Sequence, residues 1–420
     1  MEKIRALSEL ELKDRLLKGL ESEGLLGRRV LAIIPDSTRT APIPLAFRTL
    51  AEAFRKQGGR LDFLLALGTH PPMTEAEIEA HLKLPASERK RLFPDTEVFN
   101  HHWKDPQVLA EIGRIEAGEM ASLTGGLYTE AVPVQINRRV FDYDRLLIIG
   151  PVFPHEVIGF SGGNKYLFPG ISGAEIINAF HWLGALITNP KIIGTADTPV
   201  KTVVNRATAF LDRPVSLFAF VMSGHDAVGL FTGGVDDAWR AAVELSRRVN
   251  IVYKPRPFRT IFSHMPAMYH DIWLAGKGMY KVEPVAADGG EVIIYAPHIK
   301  TVSHTHGEVL ERIGYHTRDY FLAQAEKFAD VPGGIRAHST HVKGIGRYVD
   351  GIEKPRVTVT LATSIPESVC RRINLNYRDP ASLNPEDFKN REEEGILYVA
   401  RAGEVLYRLE DGSVPDIDRL

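Results

Sequence analysis

Short unbroken apolar runs alternate along the chain with amphipathic stretches of helical period. "VLAIIP" at 30–35 is apolar throughout, as a strand buried on both faces requires. "PIPLAFRTLAEAFRKQG" behind it spaces its apolar residues three and four apart and stops at glycine, which predicts a helix. A second strand is read at "LDFLLAL", 61–67, followed by a helix from about residue 75, where Thr74 and Glu77 form a capping box. "RLLIIGPV" at 145–152 reads as another strand of the same sheet, and the alternation argues for parallel pairing with right-handed crossovers. Residues 83–140 follow no clear period, so their elements cannot be ordered from sequence.

The pattern resumes with strands at "SLFAFVM" and "AVGLFTG" and a helix at "DDAWRAAVELSRRV", then breaks at the two prolines of "YKPRPFR", 253–259. Beyond it come strands "TIFSH", "EVIIYAP", "RVTVTLA", "ILYVA" and "EVLYRL". Helices are expected through "DIWLAGKGMYKVEPVAAD" and unbroken through "HGEVLERIGYHTRDYFLAQAEKF". The reading is two α/β domains, 1–256 and 257–420, with largely parallel sheets and the active site in the cleft between them; residues 401–420 are expected to pack back on the first domain.

Composition narrows the class. The 420 residues are 44% hydrophobic and 25% charged with a formal net charge of -2, ordinary for a soluble globular protein and without the basic excess of a nucleic-acid binder. One cysteine excludes an intrachain disulfide or a thiolate metal cluster. No stretch reaches the roughly 18 apolar residues of a membrane span and the N-terminus lacks a signal-peptide core, so a cytoplasmic location is expected.

If the strands are parallel, the loops that follow them, "DSTRTAP", "GTHPPMT" and "FPHEVIGFSGGNK", open on one sheet edge, where open α/β folds place ligands. Asp36, Arg39, His70, His155 and Lys165 are therefore expected to converge. Each also has a plain structural reading. Asp36 before Ser37 and Thr38 is a turn former, Arg39 can be one end of a surface ion pair, and a histidine after a strand is more often a hydrogen-bonded loop residue than a catalyst. Ser161, Gly162 and Gly163 are either a tight turn or a backbone cradle for an anion. Ser172 and Glu175 predict a helix from near Gly173, with His181 at the edge of its apolar face: a core histidine or a neutral metal ligand. "HHW" at 101–103 and "SHTHG" at 303–307 lack a zinc-protease spacing, and the latter reads as a loop before a helix.

Taken together, "DSTR" at 36–39, "GTHPPMTEAE" at 68–77, "HEVIGFSGGNKYLFPG" at 155–170 with His181 beyond it, and "AGKGM" at 275–279 resemble the nickel-dependent lactate racemase family and its relatives that racemise or epimerise other 2-hydroxy acids. The resemblance implies an isomerase acting at C2 by reversible hydride transfer. Its cofactor would be a nickel-pincer nucleotide, pyridinium-3,5-bisthiocarboxylic acid mononucleotide, attached covalently to Lys165, with nickel also bound by His181. His70 and His155 would be the acid/base pair. Asp36, Ser37, Thr38, Arg39, Gly162, Gly163 and Trp273 would contact the cofactor, and Lys277, Arg39 and Leu274 the substrate. Cofactor-making enzymes would be needed as partners; no nucleic-acid or membrane partner is implied, and the oligomeric state is not.

One departure bears on substrate. Lactate racemases carry glutamine and tyrosine where this chain has Leu274 and Trp273, which points to a larger 2-hydroxy acid, such as a sugar acid. Two readings of other classes stand beside this one: a zinc-dependent hydrolase using His70, His155 and His181, and a non-catalytic anion-binding protein.

Overall fold

The computed structural model describes residues 4–419. Compactness divides the chain into two units: Met1–Phe153, Phe160–Phe180 and Ala196–Val249 form the first, and Pro154–Gly159, His181–Thr195 and Asn250–Leu420 the second. In place of a single cut after residue 256, two short segments of the first half belong with the second. The C-terminal end clusters with the second unit, where it packs on segments that lie within 1–256: Leu406–Leu409 pairs in parallel with Ile251–Lys254. Lys191, in another of those segments, adds an ion pair with Asp416 at 2.6 Å.

The first unit is built on strands β1 (Arg29–Ile34), β2 (Arg60–Leu65), β3 (Val98–Asn100), β4 (Arg145–Pro151), β5 (Val215–Ser223) and β6 (Asp226–Gly234). They form one sheet in the order β6-β5-β4-β1-β2-β3. All neighbours are parallel except the edge strand β6. After their first residue, β1 and β2 are buried along their whole length, which is why the sequence shows them as continuous apolar runs rather than alternating ones. Helix α1 (Ile43–Gln57) lays Phe47, Leu50, Ala51 and Phe54 into the core and stops at Gly58, whose φ of 86° a side chain would resist. Helix α2 (Glu75–Leu82) starts at the Thr74–Glu77 capping box.

The segment with no readable period contributes β3 to the sheet edge. It also forms a separate antiparallel pair, Leu109–Ile115 with Val132–Asn137. β3 and Leu109–Ile115 are short and only partly buried, so no period survives in the sequence there. Helix α3 (Ala174–Ile187) begins within a residue of the predicted position and carries the chain from Phe180 into the second unit at His181.

The second unit has strands β7 (Phe258–His264), β8 (Ala286–Ala296), β9 (Thr358–Thr363), β10 (Asn376–Tyr377) and β11 (Ile396–Val399), ordered β10-β9-β8-β7-β11. Every neighbouring pair is parallel. Phe262 stacks on Phe388 at 4.2 Å between ring centroids, at the heart of its own core. Two helix expectations change. The stretch at 271–288 is two single turns, α4 (Ile272–Ala275) and α5 (Lys277–Tyr280), then a 3-10 turn. The long helix expected from 306 breaks into α6 (Gly307–Ile313) and α7 (Arg318–Ala323), because Gly314 ends the first with φ 73° and returns its N–H to Leu310. A helix the period did not disclose, α8 (Gly333–Lys343), follows. Among the described residues no helix is long and apolar enough to cross a membrane.

Candidate active site

Parallel pairing of Ile34 with Leu65 ends β1 and β2 at the same edge, so the loops carrying Asp36 and His70 leave the sheet side by side. Asp36 is buried, and its carboxylate is fully engaged. Oδ1 accepts from the Thr38 N–H at 3.0 Å and the Thr38 hydroxyl at 2.5 Å, while Oδ2 meets His70 Nδ1 at 2.5 Å. Asp36 is thus a turn former through one oxygen and the partner of His70 through the other. Burial alone would raise the Asp36 carboxyl, but the His70 ring, the Arg39 guanidinium and Thr38 outweigh it and hold the group below the usual carboxylate range. An ionised carboxylate on Nδ1 fixes the ring so that Nδ1 carries hydrogen and Nε2 presents its lone pair. His70 thereby acquires the tautomer of a general base. The Arg39 guanidinium lies 5.6 Å from the centre of the Phe153 ring.

Lys165 sits on a 3-10 turn, Gly163–Tyr166, in the same unit. Gly162 and Gly163 enter it at φ 83° and 54°, a pair of left-handed conformations that any side chain would strain. The turn is fastened from below by Ser161. Its hydroxyl donates to the Pro151 carbonyl at 3.1 Å and accepts from the Phe153 N–H at 3.0 Å, and its carbonyl accepts from Trp239 Nε1 at 2.9 Å. Gly170 links the turn to the His70 loop: its N–H donates to the Lys165 carbonyl, and its carbonyl accepts from the Gly68 N–H at 2.9 Å. Next to Lys165, Asn164 gives its amide N–H to Asn205 at 2.9 Å and leaves a buried Oδ1 with no hydrogen-bond partner.

His155 and His181 both belong to the second unit. His155 Nδ1 accepts from the Val157 N–H at 3.1 Å, which puts the proton of the neutral ring on Nε2, the reverse of His70. The Glu156 carboxylate stands 3.5 Å from the same Nδ1 and takes a 3.4 Å bond from the Tyr280 hydroxyl. Burial would raise Glu156, but the adjacent His155 ring and the Lys277 ammonium outweigh it and hold the carboxyl below its usual range. Lys277 opens α5 with its ammonium 5.0 Å from the centre of the Tyr269 ring. Leu274 is the residue whose N–H Asp271 caps at 3.0 Å, and Trp273 stacks on His338 with centroids 4.1 Å apart.

Three residues here escaped the sequence reading: Glu156, His338 and His341. The two histidines lie one turn apart on α8, are buried, and each has an Nε2 without a hydrogen-bond partner. Burial, with a neighbouring positive charge, pushes His341 down to about 4 and His338 well below the usual imidazole range, so both are neutral. Their i, i+3 spacing after the Pro332-Gly333 start was the available signal. By contrast His101, from the "HHW" group, donates Nε2–H to the Ser172 carbonyl at 3.0 Å and accepts from Asn137 at 3.1 Å, a structural role.

A family model described as the lactate racemase N-terminal domain matches residues 5–194. A lactate racemase from Thermoanaerobacterium thermosaccharolyticum is 25% identical over 279 residues, 64% of this chain and 60% of that one. Through residues 5–194 the chain falls in the lactate racemase family. A second family member, the lactate racemase of Lactiplantibacillus plantarum, is 24% identical over 64% of this chain and 59% of its own length. The chain therefore matches about three fifths of each curated relative. Among solved structures, a Thermotoga maritima protein superposes with a TM-score of 0.88 at 33% identity, covering 98% of this chain and all of that one. The lactate racemase apoprotein from T. thermosaccharolyticum gives a TM-score of 0.73 at 19% identity, covering 96% and 93%, and shares the two-sheet α/β fold.

Proposed function

We propose that this lactate racemase family member racemises or epimerises a 2-hydroxy acid at C2, with His70 and His155 as its acid/base pair. One observation carries the reading: the two histidines are held in opposite tautomers, His70 by Asp36 and His155 by the Val157 N–H. Inverting C2 through a planar 2-oxo acid needs a base that takes the hydroxyl proton of one enantiomer and an acid that returns a proton when the other is made. His70 Nε2 is set to accept; His155 donates from Nε2 once its Nδ1 has taken a proton and faces Glu156, so that the acid is an imidazolium and returns to a neutral ring, and in the reverse direction the roles exchange. Asp36 and Glu156 supply the countercharge when the adjacent ring becomes imidazolium. Lys277 and Arg39 provide positive charge for the substrate carboxylate.

The hydrogen on C2 is too weakly acidic for imidazole to remove as a proton, so the reaction needs a hydride acceptor. The residues fit the family's nickel-pincer nucleotide: Lys165 offers a primary amine for a covalent thioamide link, His181 an imidazole for nickel, and the buried Asn164 Oδ1 an acceptor that awaits a donor. When bound, that group supplies the hydride acceptor. The Gly162-Gly163 turn allows close approach to Lys165, and Asp36 to Arg39 complete the polar surroundings in that unit. A zinc hydrolase would leave Lys165 and its fastened turn without a role.

For the substrate we favour an acid larger than lactate and rich in hydroxyls, a sugar acid. Leu274 removes an amide, whereas the two buried, unpartnered imidazole nitrogens of His338 and His341 can each serve a hydroxyl that lactate does not have. The test is protein co-produced with the cofactor-making enzymes, checked for an adduct on Lys165 by intact mass and incubated with single enantiomers or epimers of 2-hydroxy acids. Chiral chromatography should show C2 inversion, fastest on a sugar acid. Adduct-bearing protein that inverts no member of the panel contradicts the assignment.

A further inference from the structure

Outside the residues assigned above, His270, Asp271 and His304 bring one ligating atom each to within 4.8 Å of one another. They come from two loops: His270 and Asp271 follow β7, and His304 follows β8, its parallel neighbour. The loops are already registered. The Trp273 N–H donates to the Val302 carbonyl at 3.1 Å, His298 Nε2 to the Tyr269 carbonyl at 2.9 Å, and the His304 N–H to Asp271 Oδ2 at 3.1 Å.

We propose that His270, Asp271 and His304 form a binding site for a borderline divalent cation, zinc or nickel, distinct from His181. The donor set is two imidazoles and a carboxylate, the ligands such ions take, and three protein ligands leave a fourth position open to water or to an incoming oxygen ligand. Asp271 is the preorganised member. It is buried, and its two oxygens already accept from the Leu274 and His304 N–H groups, which orient the carboxylate as a second shell does while leaving lone pairs for a metal. Both histidines are exposed, with ring centroids 5.1 Å apart. Bonds of about 2.0–2.1 Å to a tetrahedral ion require donors roughly 3.4 Å apart. The two imidazoles that must close that gap are exposed, while Asp271 between them is already fixed.

The site has a consequence for its neighbours. Asp271 caps the turn that carries Trp273, and Trp273 lies 4.5 Å from His306, two residues after His304. An ion bridging the two loops would fix Trp273 between His306 and His338, and so couple cation occupancy to the walls of the proposed substrate site.

The experiment uses full-length, untagged, chelator-stripped protein made without cofactor and carrying His181→Ala, so that nickel bound at the proposed cofactor ligand is not counted. Calorimetric titration with Zn²⁺ or Ni²⁺ should give one site, weakened at least about tenfold by His270→Ala or His304→Ala and unaffected by His225→Ala, a histidine of the other unit. Co²⁺ should produce ligand-field absorption in the visible that both substitutions abolish. Zn²⁺ should shift tryptophan emission in the parent and not in Trp273→Phe. No binding, or binding indifferent to His270→Ala and His304→Ala, overturns the proposal. Because none of these readouts involves turnover, failure here is separable from failure of the racemase reading.

Discussion

The two histidines proposed as acid and base, one in each unit, each stand beside a carboxylate, and the two pairs are built differently. In the first unit Asp36 and His70 are 2.5 Å apart, and Asp36 is buried and pinned by Thr38. In the second unit Glu156 stands 3.5 Å from His155 Nδ1 and competes for it with the Val157 N–H at 3.1 Å. The first arrangement commits the ring to one tautomer. The second leaves it poised between a neutral ring bonded to backbone and a charged ring facing Glu156. A two-base inversion needs complementary protonation at rest, and the difference in pairing is a direct way to set it.

The largest effect is expected at the tight pair. Asp36→Asn keeps the shape but offers an amide N–H to Nδ1, which turns the ring over to the wrong tautomer. Turnover of cofactor-loaded protein should fall by roughly 10²- to 10⁴-fold with the Lys165 adduct intact by mass. If Asp36→Asn costs less than Glu156→Gln, the asymmetry is wrong. Glu156→Gln should cost about tenfold, because Val157 still holds His155, and should move the pH–rate profile more than it lowers the plateau. A plateau loss with no change of profile would make Glu156 a structural group.

These two carboxylates also show how far the sequence could be read. The strand runs at 30–35 and 61–67 were legible because both faces of β1 and β2 are buried, and parallel pairing then placed Asp36 next to His70. The turn that leads into Lys165 was legible from Gly162 and Gly163. Glu156 was not, because a single acidic residue after a histidine carries no pattern; its role depends on Tyr280 and Lys277, far away in sequence. His338 and His341 were missed for another reason. Helix α8 is short and buried almost all round, so its apolar residues make no stripe, and the turn at Gly314 hid where the preceding helix ended.

The substrate preference tests the second unit alone. His338→Phe keeps a ring against Trp273 but removes the unpartnered nitrogen. It should raise KM for a sugar acid by about tenfold and leave a short 2-hydroxy acid nearly unaffected; equal losses on both would remove His338 from the specificity argument.

The last effect is on stability and leaves turnover at neutral pH untouched. His101 in the first unit and His341 in the second are each pushed down to about 4 by burial. As pH falls from about 6.5 the unfolded chain takes up protons that these rings refuse, so stability declines, with a slope approaching 1.4 kcal/mol per pH unit for each ring until pH nears 4. Asp36 and Glu156, held low when folded, add a further loss only below about pH 4. Urea unfolding across this range should flatten in His101→Gln and His341→Gln; an unchanged slope in both would mean the rings are charged in the folded protein.

The most direct test of the paired histidines is enantiomer-resolved single turnover. Cofactor-loaded His70→Ala and His155→Ala are each mixed with one pure enantiomer or epimer of the substrate, and the bound 2-oxo acid is trapped and measured. With one histidine assigned to each configuration, His70→Ala should oxidise only one enantiomer at near-parent rate and His155→Ala only the other. If either variant oxidises both enantiomers normally, or if both variants lose the same one, the two pairs do not serve as opposed acid and base.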